Sequence, residues 1–336
     1  MSTTTSFPRR MQMVYTATIS SPSQRWLTHL IALEACGGDP SGWKLPSWSL
    51  DATKELMTAQ HTTTAILSLT APGACIVPDA RASAALARTC NLHAASIRDS
   101  APSTFGFFAS LPSLLNTADA LAEITYSLDT LHADGITLFT RYGPGNTYLG
   151  HPSLAPIWAE LDRRSAVVFV HPTHAVDTTL VSPLMPQPVI DYPHETTRTA
   201  MDLLLSGTIR RHQNVKIILS HAGGTLPYLA ARPGSFLPFP GVELTREEFM
   251  QDARSFYFDL ALSSGEVTLG VLERFAAPGR VLWGSDFPYA PRKGVDWFLK
   301  EFEGYRFRDE GMRRSVERGA AETLFPRLIK AERSLL

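Results

Sequence analysis

The chain has 336 residues, 44% of them hydrophobic and 19% charged, with a net charge of −1; this allows a large core and offers no Lys/Arg run for nucleic acid or anionic membranes. No apolar stretch approaches the roughly 20 residues that span a bilayer, and the polar opening MSTTTSFPRR lacks the apolar centre of a secretory signal, so a cytoplasmic protein is expected. Cys36, Cys75 and Cys90 are odd in number and lack CxxC spacing, which argues against a disulfide framework or thiolate zinc site and for plain buried thiols.

Strand-like runs alternate with helix-like ones along the whole chain. The runs are MQMVYTATI (11–19), TAILSLT (64–70), TFGFFASL (104–111), GITLFT (135–140), AVVFVH (166–171), VKIILSH (215–221), FYFDLAL (256–262) and RVLWGSD (280–286). They are short, rich in β-branched and aromatic residues and almost continuously apolar, as parallel strands covered on both faces are. Between them, 79–98, 113–133, 152–164, 194–213, 222–232 and 264–277 carry helix-period apolar positions or good helix formers. Eight β-then-α units predict one (β/α)8 barrel over residues 1–336, with 1–10 as a flexible tail. A doubly wound sheet is the alternative, but no GxGxxG turn follows an early strand. Two long connections, 20–48 and the Pro-rich 175–194, follow the first and fifth strands, where substrate loops belong.

Three of these strands end on a titratable side chain: His171 in VVFVHPTH, His221 in IILSHAGG and Asp286 in LWGSDFP. The C-terminal strand ends of a barrel converge on one mouth, so residues far apart in sequence meet there. A polar cap on a single strand end is unremarkable, but chance does not readily place three. Gly223 and Gly224 have a purely conformational reading, since they allow the turn into the next helix.

The stretches VVFVHPTH, VKIILSHAGGTLPYLA, FYFDLALS and RVLWGSDFPYAP resemble the decarboxylase branch of the amidohydrolase superfamily, which includes aminocarboxymuconate-semialdehyde, γ-resorcylate and 6-methylsalicylate decarboxylases. GGDPSGWKLPSWSLDATKELM and LHADGITLFTRYG are similar to the 6-methylsalicylate side in particular. The resemblance implies one divalent cation, held by an HxH on the first strand, by the fifth-strand histidine and by the eighth-strand aspartate. His171 and Asp286 match the two later ligand positions, and His221 matches a sixth-strand histidine used in acid–base or polarising chemistry.

The first strand departs from this pattern. VYTATISSP (14–22) aligns without gaps and puts Ala17 and Ile19 where the two histidines belong, and neither can donate a lone pair. A catalytic zinc site needs about three protein ligands, so the expectation is no metal cofactor, with His174 or His194 as conceivable replacement ligands. Without a cation, burial should raise Asp286, leaving it paired with His171 or His221 as a coupled acid–base system. A neutral Asp286 would suit the role the resemblance implies for it, protonation of the ring carbon that bears the departing carboxylate. A histidinium would then replace the metal's charge, and metal-activated hydrolysis becomes the least favoured reaction.

Other residues bear on the substrate. Trp43 and Trp48 could sandwich a planar ring or could anchor the first long loop. Arg141 could pair with a carboxylate or phenolate, or form a rim salt bridge. Arg198 matches a family position near the site, yet Glu195 and Asp202 at helical spacing offer an ordinary ion pair. Phe287 and Tyr289 could form an apolar wall. Together these favour a flat aromatic or polyketide-derived acid and a metal-independent lyase of decarboxylase type. A cyclase, dehydratase or retro-aldolase, and a silent ligand-binding relative, are the alternatives. The expected partner is the small-molecule substrate, with neither nucleic acid nor membrane; a homodimer is left open.

Overall fold

The computed structural model describes residues 10–16 and 24–328, so Ala17, Ile19 and nearly all of the expected tail lie outside the described residues. The exception is Arg10, which opens the first strand instead of belonging to a tail. It is buried, and its guanidinium donates to the Gln60 carbonyl at 3.1 Å and pairs with Glu303 at 2.9 Å.

Eight parallel strands close a barrel in sequence order: β1 (Arg10–Thr16), β2 (Thr62–Leu69), β3 (Phe105–Ala109), β4 (Gly135–Phe139), β5 (Val167–His171), β6 (Lys216–Leu219), β7 (Tyr257–Asp259) and β8 (Val281–Gly284). Closure is made by β1 against β8, with Gln12 opposite Trp283 and Met13 opposite Gly284. The expected (β/α)8 architecture is therefore the observed one. β3, β4, β5, β7 and β8 are buried along their whole length, which accounts for their unbroken apolar runs.

The apolar residues divide into two layers. Ile66, Phe108, Phe169, Ile218, Tyr257 and Leu282 pack inside the barrel with Leu324, Phe325 and Leu328 from the C-terminal segment. The Phe108 ring stacks on Phe169 at 5.7 Å and meets Phe325 at 5.8 Å. The second layer lies between the strands and the helices around them, among them Ala80–Ser100, Ala155–Arg163, Asp191–Leu205 and Glu266–Phe275. Side chains thus fill the barrel's interior below its mouth. Of the three expected buried thiols, Cys90 is buried, Cys75 is partly buried and Cys36 is exposed.

Several helices were not legible as such. The expected loop 20–48 contains a helix, Gln24–Ala35, and further helices run over Leu50–Ala59, Arg246–Ser255 and Arg292–Gly304. Thr245 and Glu248 form a reciprocal capping box at the start of the third of these. The expected helix at 222–232 is broken into short turns, Leu226–Leu229 and Ala231–Gly234. A Cβ on Gly224, whose φ is +62°, would meet the Pro193 carbonyl oxygen at 2.0 Å, so the chain needs glycine there.

Candidate active site

At the C-terminal mouth His171, His221 and Asp286 line one cavity of about 320 Å³. A larger groove of about 1240 Å³, lined in part by Val267, Arg274 and Lys300 on the outer helices, contains none of the three.

His171 ends β5 and is buried. Its Nδ1 lies 2.6 Å from the Pro172 carbonyl, which accepts only a proton-bearing nitrogen, so the tautomer carries hydrogen on Nδ1. Nε2 consequently holds the lone pair and accepts from the Thr70 hydroxyl at 3.2 Å, just past the end of β2. Burial, reinforced by His221 nearby, pushes His171 down to about 3 against the opposing effect of the Pro172 carbonyl. His171 is neutral at any physiological pH and cannot be the expected histidinium.

His221 follows β6 in a tight turn. Its backbone N–H donates to Asp259 Oδ1 at 3.1 Å, and the same oxygen accepts from the Ala261 N–H at 2.9 Å. Its Nδ1 donates to the Ala261 carbonyl at 2.9 Å, so proton exchange on the cavity side falls to Nε2. Asp259 is fully buried at the end of β7 and thereby ties the sixth and seventh strand ends together beneath the imidazole. His221 and Asp286 have φ of +53° and +56°, left-handed values that cost non-glycine residues energy and concentrate at functional sites.

Asp286 is the acid at which the apolar run of β8 gives out. Burial pushes it up to about 7; His221 pulls it down and Asp259 adds to the rise. A carboxylic acid held near 7 keeps a substantial protonated fraction at neutral pH and can act as a proton donor.

The remaining candidates separate. Trp43 and Tyr289 line the cavity. Trp48 does not: it is 1% exposed in the core and its Nε1 donates to Thr53 Oγ1 at 2.7 Å, anchoring the first loop. Phe287 packs against the core beside the mouth and is not part of the cavity lining. Arg141 also stands outside the lining. Its guanidinium donates to the carbonyls of His174 (2.8 Å), Gly143 (2.8 Å), Gly145 (3.3 Å) and Ala175 (3.1 Å), which pins the loop after β5. Arg198 is 55% exposed by side chain, bonds the Tyr148 hydroxyl and pairs with Glu195 at 3.7 Å, the ordinary helical ion pair. Asp39, Thr70 and Tyr192 line the cavity without having been singled out in the sequence, and Asp259 supports it.

Among the described residues the donor set does not fit a divalent cation. Residues 1–28 contain no His, Cys, Asp or Glu; His29, which follows them, is buried with its Nε2 3.3 Å from the Gly73 carbonyl and is not part of the cavity lining. His174 and His194 are absent from the cavity lining, His194 being exposed. Among the described residues no group of three or more His, Cys, Asp or Glu is arranged to hold a metal.

A sequence model described as amidohydrolase matches residues 26–327. The chain belongs to the amidohydrolase family. It is 56% identical over 308 residues to a 6-methylsalicylic acid decarboxylase of Aspergillus aculeatus, covering 90% of this chain and 93% of that one. It is 55% identical over 299 residues to a 6-methylsalicylic acid decarboxylase of Penicillium expansum, covering 88% and 92%. Among solved structures, an amidohydrolase II superimposes with a TM-score of 0.84 at 25% identity, over 94% of this chain and 99% of that one. This family member is a lyase of the decarboxylase branch, as its motifs implied. No helix among the described residues is long and apolar enough to cross a membrane.

Proposed function

We propose that this amidohydrolase-family lyase decarboxylates a single-ring hydroxylated acid of the 6-methylsalicylic acid type, using Asp286 as proton donor and no divalent cation. The observation that carries the reading is Asp286 itself, an acid raised to about 7 by burial in a cavity it shares with His221. At about 320 Å³ the cavity is at the small end of ligand pockets, which run from roughly 300 Å³ upward, as suits one ring. Asp286 passes its proton to the ring carbon bearing the carboxylate. The C–C bond then breaks, its electron pair returns to the ring, and CO2 leaves. The Asp286 carboxylate recovers a proton from water by way of His221 Nε2. His221 is oriented by the Ala261 carbonyl; neutral His171 serves as a fixed wall and acceptor.

The two relatives act, by their names, on 6-methylsalicylic acid, and their coverage of nearly the whole chain supports the same substrate class here. The absence of first-strand ligand residues supports proton chemistry without a Lewis acid. The test is incubation of purified protein with 6-methylsalicylic acid and related acids, trapping CO2 separately from the arene. Equimolar CO2 and decarboxylated arene support the reading; loss of the acid without CO2 overturns it.

A further inference from the structure

Resting on that reading, one feature of the cavity narrows the substrate further. Tyr289 lines it, and its buried hydroxyl has no hydrogen-bond partner among the described residues. A buried phenol without a partner is costly in a finished core and is expected where a ligand completes the bond. Neighbouring Tyr192 is different, because its hydroxyl is bonded to Ser41. The Tyr289 hydroxyl is within electrostatic reach of Asp39 and of Asp286. Asp39 comes from the loop after β1 and also lines the cavity. Its Oδ1 accepts from the Ser41 N–H at 2.8 Å, which fixes the turn that carries it.

We propose that Tyr289 and Asp39 together form a subsite for a neutral hydroxyl on the substrate ring, selecting hydroxylated monocarboxylic acids and rejecting dicarboxylic ones. A carboxylate only accepts hydrogen bonds and a phenol hydroxyl is a ready donor. A ring hydroxyl satisfies both, donating to Asp39 and accepting from Tyr289. A ring C–H or methyl satisfies neither and leaves the phenol unpaired, the kind of loss that gives polar sites their discrimination. A second carboxylate could accept from Tyr289 but would face the like charge of Asp39. The hydroxyl thus anchors the ring at Tyr289 and Asp39 in the same cavity that presents Asp286 and His221 to its carboxylate.

The experiment is calorimetric binding of benzoate, the three monohydroxybenzoate isomers and isophthalate to wild type, Tyr289→Phe and Asp39→Asn, with thermal transitions to establish folding. At least one isomer should bind wild type about ten- to a hundredfold more tightly than benzoate, the size of one well-placed polar contact. In Tyr289→Phe that advantage should collapse while benzoate affinity holds. Asp39→Asn should weaken the same isomer and bind isophthalate more tightly than wild type does. An undiminished hydroxyl preference in Tyr289→Phe, no preference in wild type, or unchanged isophthalate binding in Asp39→Asn overturns the subsite while the decarboxylase reading stands. Wild type that neither binds these acids nor releases CO2 from any aromatic acid overturns both.

Discussion

The Thr70 hydroxyl lies 3.2 Å from His171 Nε2 while the Pro172 carbonyl lies 2.6 Å from Nδ1, so both nitrogens of a buried imidazole are engaged by protein groups. A metal-ligating histidine needs one nitrogen lone pair for the ion. Here that lone pair accepts from Thr70, and the first-strand partners it would need are Ala17 and Ile19.

Elemental analysis of protein purified without chelators should therefore give far less than one divalent ion per chain, and chelation should leave turnover unchanged. The double replacement Ala17→His and Ile19→His should raise zinc affinity, because it returns neutral nitrogen donors to the two positions that the family resemblance gives to metal ligands. Near one zinc per chain, lost together with activity, would refute the metal-free account.

Stability should depend on pH through two groups of opposite sign. Asp286 is raised from 3.8 to about 7, so between these values the folded chain keeps a proton that the unfolded chain has released. Its contribution is therefore full below about 4 and is lost as pH rises to about 7, at about 1.4 kcal/mol per pH unit. His171 is lowered from 6.5 to about 3, so its contribution is present above 6.5 and is lost as pH falls toward 3. Asp286→Asn removes the first effect alone. Its stability relative to wild type should increase with pH between about 4 and 7, as read from urea midpoints; a constant difference would contradict the burial of Asp286.

Asp286→Asn keeps the shape and removes the transferable proton, so turnover should fall by roughly 10²- to 10⁴-fold with folding intact. His221→Asn should cost a similar factor, and the double variant little more, because residues acting as one unit are not additive. Fully additive losses in the three variants would break the pairing of these two residues.

Arg141 and Trp48 should behave as scaffold. Arg141→Lys cannot reach four carbonyls with one ammonium and should lower stability by about 1–3 kcal/mol, with KM changed only as far as the loop after β5 loosens. Trp48→Phe should likewise lower the unfolding midpoint while sparing KM. Trp43→Ala, at the cavity wall, should raise KM with little change in stability. The reverse pattern would put the ring-binding tryptophan at 48.

The sequence exposed the barrel and its three titratable strand ends because burial on both faces leaves apolar runs in which one polar terminal residue stands out. Asp259 carries the same signal in masked form, since FYFDLAL reads as one run to Leu262 whereas β7 stops at Asp259. Asp39 and Tyr192 have no such signal, for only the closed barrel brings their loops to the same cavity; Thr70 does end the run TAILSLT, but a hydroxyl does not stand out there as a titratable group does. Arg141 misled for the converse reason. Its partners His174 and Ala175 lie more than thirty residues away, and a guanidinium suited to a carboxylate is equally suited to loop carbonyls. The helix Arg246–Ser255 carries its signal in the T-x-x-E capping box of Thr245 and Glu248.

Proton transfer from Asp286 to a ring carbon in a site without a cation is tested by CO2 release from 6-methylsalicylic acid by chelator-treated protein. Wild type should release CO2 equimolar with arene at an undiminished rate, and Asp286→Asn should be slower by roughly 10²- to 10⁴-fold. Activity that vanishes on chelation and returns with a divalent metal, or an Asp286→Asn variant as fast as wild type, would contradict it.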